Sequence, residues 1–231
     1  MKTSAIIPIS FALALTSSAH SATIFGSLTA SVISTYQNGS GIVPSGILVG
    51  TTVTLSFSYD SLALANGNRS GFAGDPNVAE YGTGLNLFIS VISGGYTWEG
   101  VASDGYAVTM NGGVGGFNDR FEVEVSKSYG GSFSSFPGDM GGDSYLAFAL
   151  SDTIAPLNLS DSLALPTAIS DLNLSAAHNN GIVISSQLDF NGSWNIVAEP
   201  NLASLVIIPE PSSILLVFGA SSLLLCRRRK L

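Results

Sequence analysis

The stretch Thr52-Val53-Thr54-Leu55-Ser56-Phe57-Ser58-Tyr59 alternates polar and apolar residues without a break. A period of two is typical of a β-strand that has one face in a core and the other in water. We therefore predict a strand here, with Val53, Leu55, Phe57 and Tyr59 pointing inward. An amphipathic helix would need its apolar residues three or four positions apart, and this stretch lacks that spacing.

The same alternation continues outside this stretch. Phe121 to Val125 places Glu122 and Glu124 between apolar residues, and we interpret the two acids as a solvated face. Asn191-Gly192 is a strong signal for a type I′ β-hairpin, because strand-like segments flank it on both sides. The further segments of strand length and composition are residues 24–34, 85–92, 145–150, 182–190 and 193–197.

Clusters of glycine, asparagine, aspartate and proline separate the candidate strands, at residues 66–76, 112–116 and 130–143. Such clusters are typical of turns and loops, and strands at these short intervals favour an all-β fold. We predict one antiparallel β-sandwich, of the jelly-roll or immunoglobulin-like kind, over residues 22–199. A linker over residues 200–207 is expected to follow it.

Charge and cysteine content narrow the function classes. Residues 22–208 contain three lysine or arginine residues against fifteen aspartate or glutamate residues, a net charge of −12 at pH 7. Proteins that bind nucleic acid neutralise phosphates with lysine and arginine, so this composition excludes nucleic acid as a partner. The single cysteine, Cys226, lies near the C-terminal end, so the preceding region has neither a disulfide framework nor thiolate chemistry.

The first 21 residues have the pattern of a secretory signal peptide. Lys2 gives a positive start, residues 5–15 form an apolar run, and small residues precede Ala22. The run is too short to span a bilayer comfortably. We therefore expect export, with cleavage after Ser21, or alternatively after Ala19.

The C-terminal end of the sequence combines three features in a fixed order. Pro209, Glu210 and Pro211 come first, and the two prolines predict an extended segment around the acid. Residues 212–226 then carry no charge, and we interpret them as one short transmembrane helix. The cationic residues that end the chain would stay on the cytoplasmic side and orient the membrane segment; they are Arg227, Arg228, Arg229 and Lys230.

Residues 208–231 resemble the PEP-CTERM sorting signal of Gram-negative bacteria. That signal has a Pro-Glu-Pro motif, a short apolar helix and a terminal arginine cluster, and it is read by exosortase, a membrane-embedded cysteine protease-transpeptidase. The resemblance implies that Pro209, Glu210 and Pro211 are the recognition motif. It also implies transient anchoring in the inner membrane, and then a place on the cell surface or in an extracellular matrix rich in exopolysaccharide. The alternative is a permanent C-terminal anchor.

Residues suited to catalysis are few. His178 is the only histidine after the signal peptide, and we interpret it as an exposed loop residue. No nucleophile elbow and no phosphate-binding glycine loop occurs. Glycoside hydrolysis needs two facing carboxyl groups, and the sequence does not show which acids face each other, so we expect no enzymatic activity. The candidate acids are Glu80, Glu99, Glu122, Glu124 and Asp189.

Two acidic, glycine-rich loops suggest calcium as a ligand. The alternative interpretation of the same residues is an ordinary turn. Asp139 and Asp143 place hard oxygen ligands on a glycine-rich loop, and Asp75 does so on another. Two functions therefore follow from the sequence. The first is a structural or interaction protein of the surface or matrix, associated with exopolysaccharide. The second is a secreted protein that binds or acts on carbohydrate.

Overall fold

The computed structural model describes residues 23–65, 77–103, 106–110, 119–152, 159–160, 162–188 and 191–209. The described residues form β-strands and three single 3-10 turns, at Lys127–Tyr129, Ile169–Asp171 and Leu202–Ser204. The strands are β1 (Thr23–Gly39), β2 (Thr52–Asp60), β3 (Val78–Tyr81), β4 (Leu87–Ser93), β5 (Tyr96–Ala102), β6 (Tyr106–Met110), β7 (Arg120–Ser126), β8 (Ser132–Ser135), β9 (Asp143–Asp152), β10 (Ala177–Leu188), β11 (Gly192–Pro200) and β12 (Val206–Pro209).

All strand pairs are antiparallel, and the strands form one sheet in the order β3-β6-β7-β9-β10-β11-β1-β2-β4-β5-β8. The sheet is a curled, half-barrel-like layer whose inner face encloses the core. The predicted all-β, antiparallel class is confirmed. The described strands pair into one continuous sheet, so the two separate sheets of a jelly-roll or immunoglobulin-like sandwich are not confirmed.

β1 is the longest strand and has neighbours along both of its edges. Along one edge β1 pairs with β2, and along the other it pairs first with β12 and then with β11. Gly26 lies on the inner side of β1, opposite Phe57 of β2. The Phe57 ring occupies the space that a β-carbon at Gly26 would need. Glycine at this position therefore lets the aromatic core approach the backbone closely.

The core confirms the alternation from which the strand prediction began. Val53, Leu55, Phe57 and Tyr59 are all almost fully buried. The Phe57 ring lies 5.6 Å from the ring of Phe148 on β9 and 6.4 Å from that of Phe121 on β7. We call the strands β12, β1, β2, β4, β5 and β8 one arm of the curled sheet, and the strands β3, β6, β7, β9, β10 and β11 the other. The two arms thus meet through aromatic contacts, which contribute beyond their area of burial.

The predicted linker differs from what the structure shows. Residues 200–207 contain the 3-10 turn Leu202–Ser204 and the first two residues of β12, and the side chains of Leu205 and Ile207 are buried. Ser204 also accepts a hydrogen bond from the backbone N–H of Thr29 at 2.9 Å. The folded domain therefore extends to Pro209.

The predicted signal peptide and most of the C-terminal signal, including its apolar helix, lie outside the described residues. Within the described part of the chain, no helix is long and apolar enough to cross a membrane.

Candidate functional site

A polar groove of about 450 Å³ lies on the outer face of β7 and β9. We call it the acidic groove, because three of its side chains are carboxylates. Since Phe121, Val123 and Val125 of β7 point into the core, the alternating residues of the same strand point out into the groove. The groove is lined by Arg120, Glu122, Glu124, Ser126, Ser128, Tyr129, Asp143, Tyr145, Ala147 and Val183.

The strand register explains the shape of this groove. Tyr106, Glu124 and Ala147 lie side by side on β6, β7 and β9. In the next row Glu122 lies beside Ala149. Alanine on β9 therefore makes a low floor, and the larger side chains on the neighbouring strand stand beside it.

Glu122 lies at one side of the groove and is only 8% exposed. Our interpretation of Glu122 as a solvated acid is therefore wrong, because alternation shows which face a residue occupies but not whether that face is covered. Burial raises the pKa of Glu122, and the nearby Arg120 guanidinium opposes this increase. One Arg120 amino group lies 2.7 Å from the Glu122 carboxylate.

Tyrosines stand beside the carboxylates. The ring centroids of Tyr106 and Tyr129 are 6.3 Å apart. Burial raises the pKa of Tyr106, and the charges of Glu122 and Glu80 raise it further. Burial likewise raises the pKa of Tyr145. These phenols therefore stay protonated at neutral pH and are able to donate hydrogen bonds.

Asp139 and Asp143, the residues predicted to bind calcium, accept hydrogen bonds from other groups of the protein. The Asp139 carboxylate lies 2.6 Å from Lys127 Nζ and accepts hydrogen bonds from Gly141 N–H and Ser144 Oγ, both at 3.0 Å. Burial raises the pKa of Asp139, but these donors outweigh burial and lower it overall. Asp143 accepts hydrogen bonds from Ser126 Oγ and from Ser128 N–H, both at 3.2 Å.

Across the described ranges, no group of three or more histidine, cysteine, aspartate or glutamate side chains is arranged to hold a metal ion. Asp75 lies outside those ranges, so calcium stays a prediction.

The other candidate acids are scattered. Glu99 of β5 accepts hydrogen bonds from Ser90 and Ser134, on a different part of the sheet. Glu80 of β3 is buried near Tyr106, and Asp189 lies outside the described residues. His178 is exposed, with Nδ1 2.6 Å from the carbonyl oxygen of Ala176. Among the described candidates, the structure brings together Glu122 and Glu124, with Glu80 nearby.

The sorting motif is visible only at its first residue. Pro209 ends β12 and is exposed, while Glu210, Pro211 and the cluster from Arg227 to Lys230 lie outside the described residues.

The acidic groove combines two chemistries. Carboxylates accept hydrogen bonds from pairs of hydroxyl groups, and tyrosine offers both a flat apolar ring and a hydroxyl group. Glu122 and Glu124 are two positions apart on one strand, so their side chains point the same way and their Cα atoms are about 7 Å apart. Sequence reasoning missed Tyr106 and Tyr145, because strand pairing brings them to β7 from other parts of the chain. It also missed Tyr129, which lies in the 3-10 turn directly after the strand that carries the two acids.

No protein-family model matches the chain, and no curated protein and no solved structure is significantly similar to it.

Proposed function

We propose that this chain is an exported protein of the cell surface or extracellular matrix, and that its β-domain binds exopolysaccharide in the acidic groove. The observation that carries the binding proposal is the row of carboxylates and tyrosines beside an alanine floor. Flat sugar rings stack on aromatic side chains, and their hydroxyl groups donate to carboxylates. Such a groove suits a neutral polysaccharide, because a domain with a net charge of −12 repels an acidic one.

Export and sorting rest on the two ends of the sequence. The signal peptide over residues 1–21 would direct the chain out of the cytoplasm. The signal over residues 208–231 would then present Pro209, Glu210 and Pro211 to an exosortase-like enzyme at the inner membrane. The protein would finally reside at the surface or in the matrix, as a structural or interaction protein.

The geometry of the two central acids favours binding over hydrolysis. Catalytic carboxyl groups of glycosidases flank the bond that is cleaved. Glu122 is instead buried and paired with the Arg120 guanidinium at 2.7 Å. We therefore propose that the chain is not an enzyme. Incubation with the host's purified exopolysaccharide should release no new reducing ends, and measurable release would support the alternative, a carbohydrate-active protein.

The finer fold is also a proposal. We infer that the two arms of the curled sheet pack as the layers of a β-sandwich of the jelly-roll or immunoglobulin-like kind. The contact between Phe57 on one arm and Phe148 on the other, at 5.6 Å, supports this inference.

Binding can be tested directly with the host's purified exopolysaccharide in a pull-down or by calorimetry. Tyr145→Ala removes a ring that lines the groove, and Tyr36→Ala removes an exposed ring from β1 as a matched control. We expect Tyr145→Ala to weaken binding about fivefold, because loss of an aromatic contact costs on the order of 1 kcal/mol. Equal binding by both variants would contradict the proposal.

Calcium is proposed as a weak stabilising ligand of the loop that carries Asp139 and Asp143. A ligand that binds the folded state alone raises the melting temperature. We therefore expect a higher melting temperature in millimolar calcium than in chelator. An unchanged melting temperature would contradict calcium binding at this loop.

A further inference from the structure

A second depression, of about 360 Å³, lies on the outer face of the other arm of the sheet, where β12, β1, β2 and β4 run side by side. We call it the apolar trough. No charged side chain lines it. Its lining residues are Phe25, Gly26, Ser27, Ser56, Phe57, Phe88, Val206 and Ile208.

The register shows how the apolar trough is built. One row across the strands contains Ile208, Phe25, Ser58 and Phe88, and the row beside it contains Val206, Ser27, Ser56 and Ser90. The second row is low, because three of its four members are serines. Large apolar side chains stand in the first row. The result is a channel between larger side chains, open to the outside of the sheet.

The exposed apolar surface of this channel is unusual for a protein in water. Phe25 is 43% exposed, Val206 46% and Ile208 52%. These three side chains are neighbours across β1 and β12. A contiguous apolar patch of this kind marks a surface that binds a protein segment, a ligand or a membrane.

The chain that continues beyond the apolar trough contains an apolar segment. Ile208 lines the trough, and Pro209 is the last described residue. Residues 214–226 follow without a single charge. The five-residue connection from Pro209 to Ile214 reaches at most about 18 Å, which exceeds the spacing of the strands that form the trough. The apolar segment is therefore within reach.

We propose that, when the C-terminal apolar segment is not in a bilayer, apolar side chains from residues 214–226 of the same chain pack into the apolar trough. A tethered segment has an effective concentration in the millimolar range, so it outcompetes a second copy of the protein. A channel with raised sides accommodates a chain segment better than a flat lipid surface. The domain's negative charge also disfavours an anionic bilayer and attracts the four cations that follow the segment.

Docking has a clear physical role. The same residues that could enter a membrane would otherwise be exposed to water during transit, where they promote aggregation. The trough and the bilayer then compete for one segment. This inference does not depend on polysaccharide binding, because the acidic groove lies on the other arm of the sheet.

Disulfide trapping tests the proposal in the full-length chain. Cys226→Ser removes the native thiol, and Val217→Cys places one in the apolar segment. Ser27→Cys places its partner in the floor of the apolar trough. The control is Leu62→Cys, which is exposed and lies just beyond Asp60, the partner of Thr23, and so outside the trough. Both partners are exposed residues, so cysteine at either position preserves the fold.

In detergent-free buffer with a mild oxidant, we expect the intramolecular disulfide to form about five times faster with Ser27→Cys than with Leu62→Cys, because docking raises the local concentration at one site only. Peptide mass analysis identifies the linked residues. Equal rates would show an undocked segment and overturn the proposal. Disulfides between two chains would assign the trough to a second copy. A preference seen only with phosphatidylethanolamine–phosphatidylglycerol vesicles would assign it to the bilayer.

Discussion

The indole N–H of Trp194 donates a hydrogen bond to the carbonyl oxygen of Gly138 at 2.7 Å. Trp98 does the same to the carbonyl oxygen of Pro137 at 3.0 Å. Both rings are fully buried, and they lie on β11 and β5. The loop between β8 and β9 is therefore fastened to the sheet at two consecutive carbonyl groups.

Trp194→Phe should destabilise the protein by about 2 kcal/mol, because it leaves the Gly138 carbonyl without its donor and opens space beside it. Urea denaturation of the variant and the parent measures the difference. Tyr36→Phe, at an exposed position, is the control and should change the free energy of unfolding very little. Equal midpoints for all three proteins would contradict this account of the loop.

Gly26→Ala should cost about 3 kcal/mol, because the new β-carbon overlaps the Phe57 ring and the aromatic core has to shift. Gly181→Ala is a matched control, since Gly181 also lies in a strand but has no atom within 4 Å of the position of a β-carbon. We expect the control to be neutral or slightly stabilising. Thermal unfolding of both variants decides the matter, and similar melting temperatures would argue against close packing at Gly26.

Glu122→Gln should change how stability depends on pH. Burial raises the pKa of Glu122 in the folded state above its ordinary value of 4.5. Its stabilising contribution is therefore complete below the pKa of the unfolded state and is lost as pH rises through the folded-state pKa. Glutamine does not ionise, so the variant should gain stability relative to the parent as the pH rises from about 4 towards neutral.

The check for this prediction is urea denaturation across that pH range. Glu199→Gln, at an exposed position on β11, is the control. If the free energies of unfolding of Glu122→Gln and the parent differ by the same amount at every pH, burial does not raise the pKa of Glu122 as described.

Glu210→Ala should leave export intact, because the signal peptide is unchanged, and should leave the full-length chain in the inner-membrane fraction. The reason is that the variant lacks the acid of the motif proposed for recognition by the processing enzyme. Fractionation and intact-mass measurement of the parent and the variant from the native host test this. A mature parent protein that still carries the Arg-Arg-Arg-Lys-Leu end would identify a permanent anchor instead.

Much of the sheet could be predicted from local sequence, since a period of two is a property of each strand alone. β2 is the clearest example, and all four residues expected inside are in the core. β12 was missed, because it has only four residues and lies between Leu205 and the prolines, so it shows no extended alternation. Its pairing with β1 joins segments about 180 residues apart in sequence.

The acidic groove could be predicted only in part. Its acids are apparent in the sequence, because Glu122 and Glu124 alternate with apolar residues. Its tyrosines are not: Tyr145 reaches the groove through the pairing of β7 with β9, and no local pattern marks Tyr129. Long-range register decides such sites, and a single sequence does not encode it in any local pattern.

The pairing of Ile24 with Pro209 sets the order in which the domain is able to fold. A chain exported from its N-terminus delivers β1 first, but the strands that cover one of its edges, β11 and β12, come last. Closing a loop of this length is slow compared with forming a local hairpin. The first strand would therefore wait, unfolded at that edge, until the end of the domain has crossed the membrane.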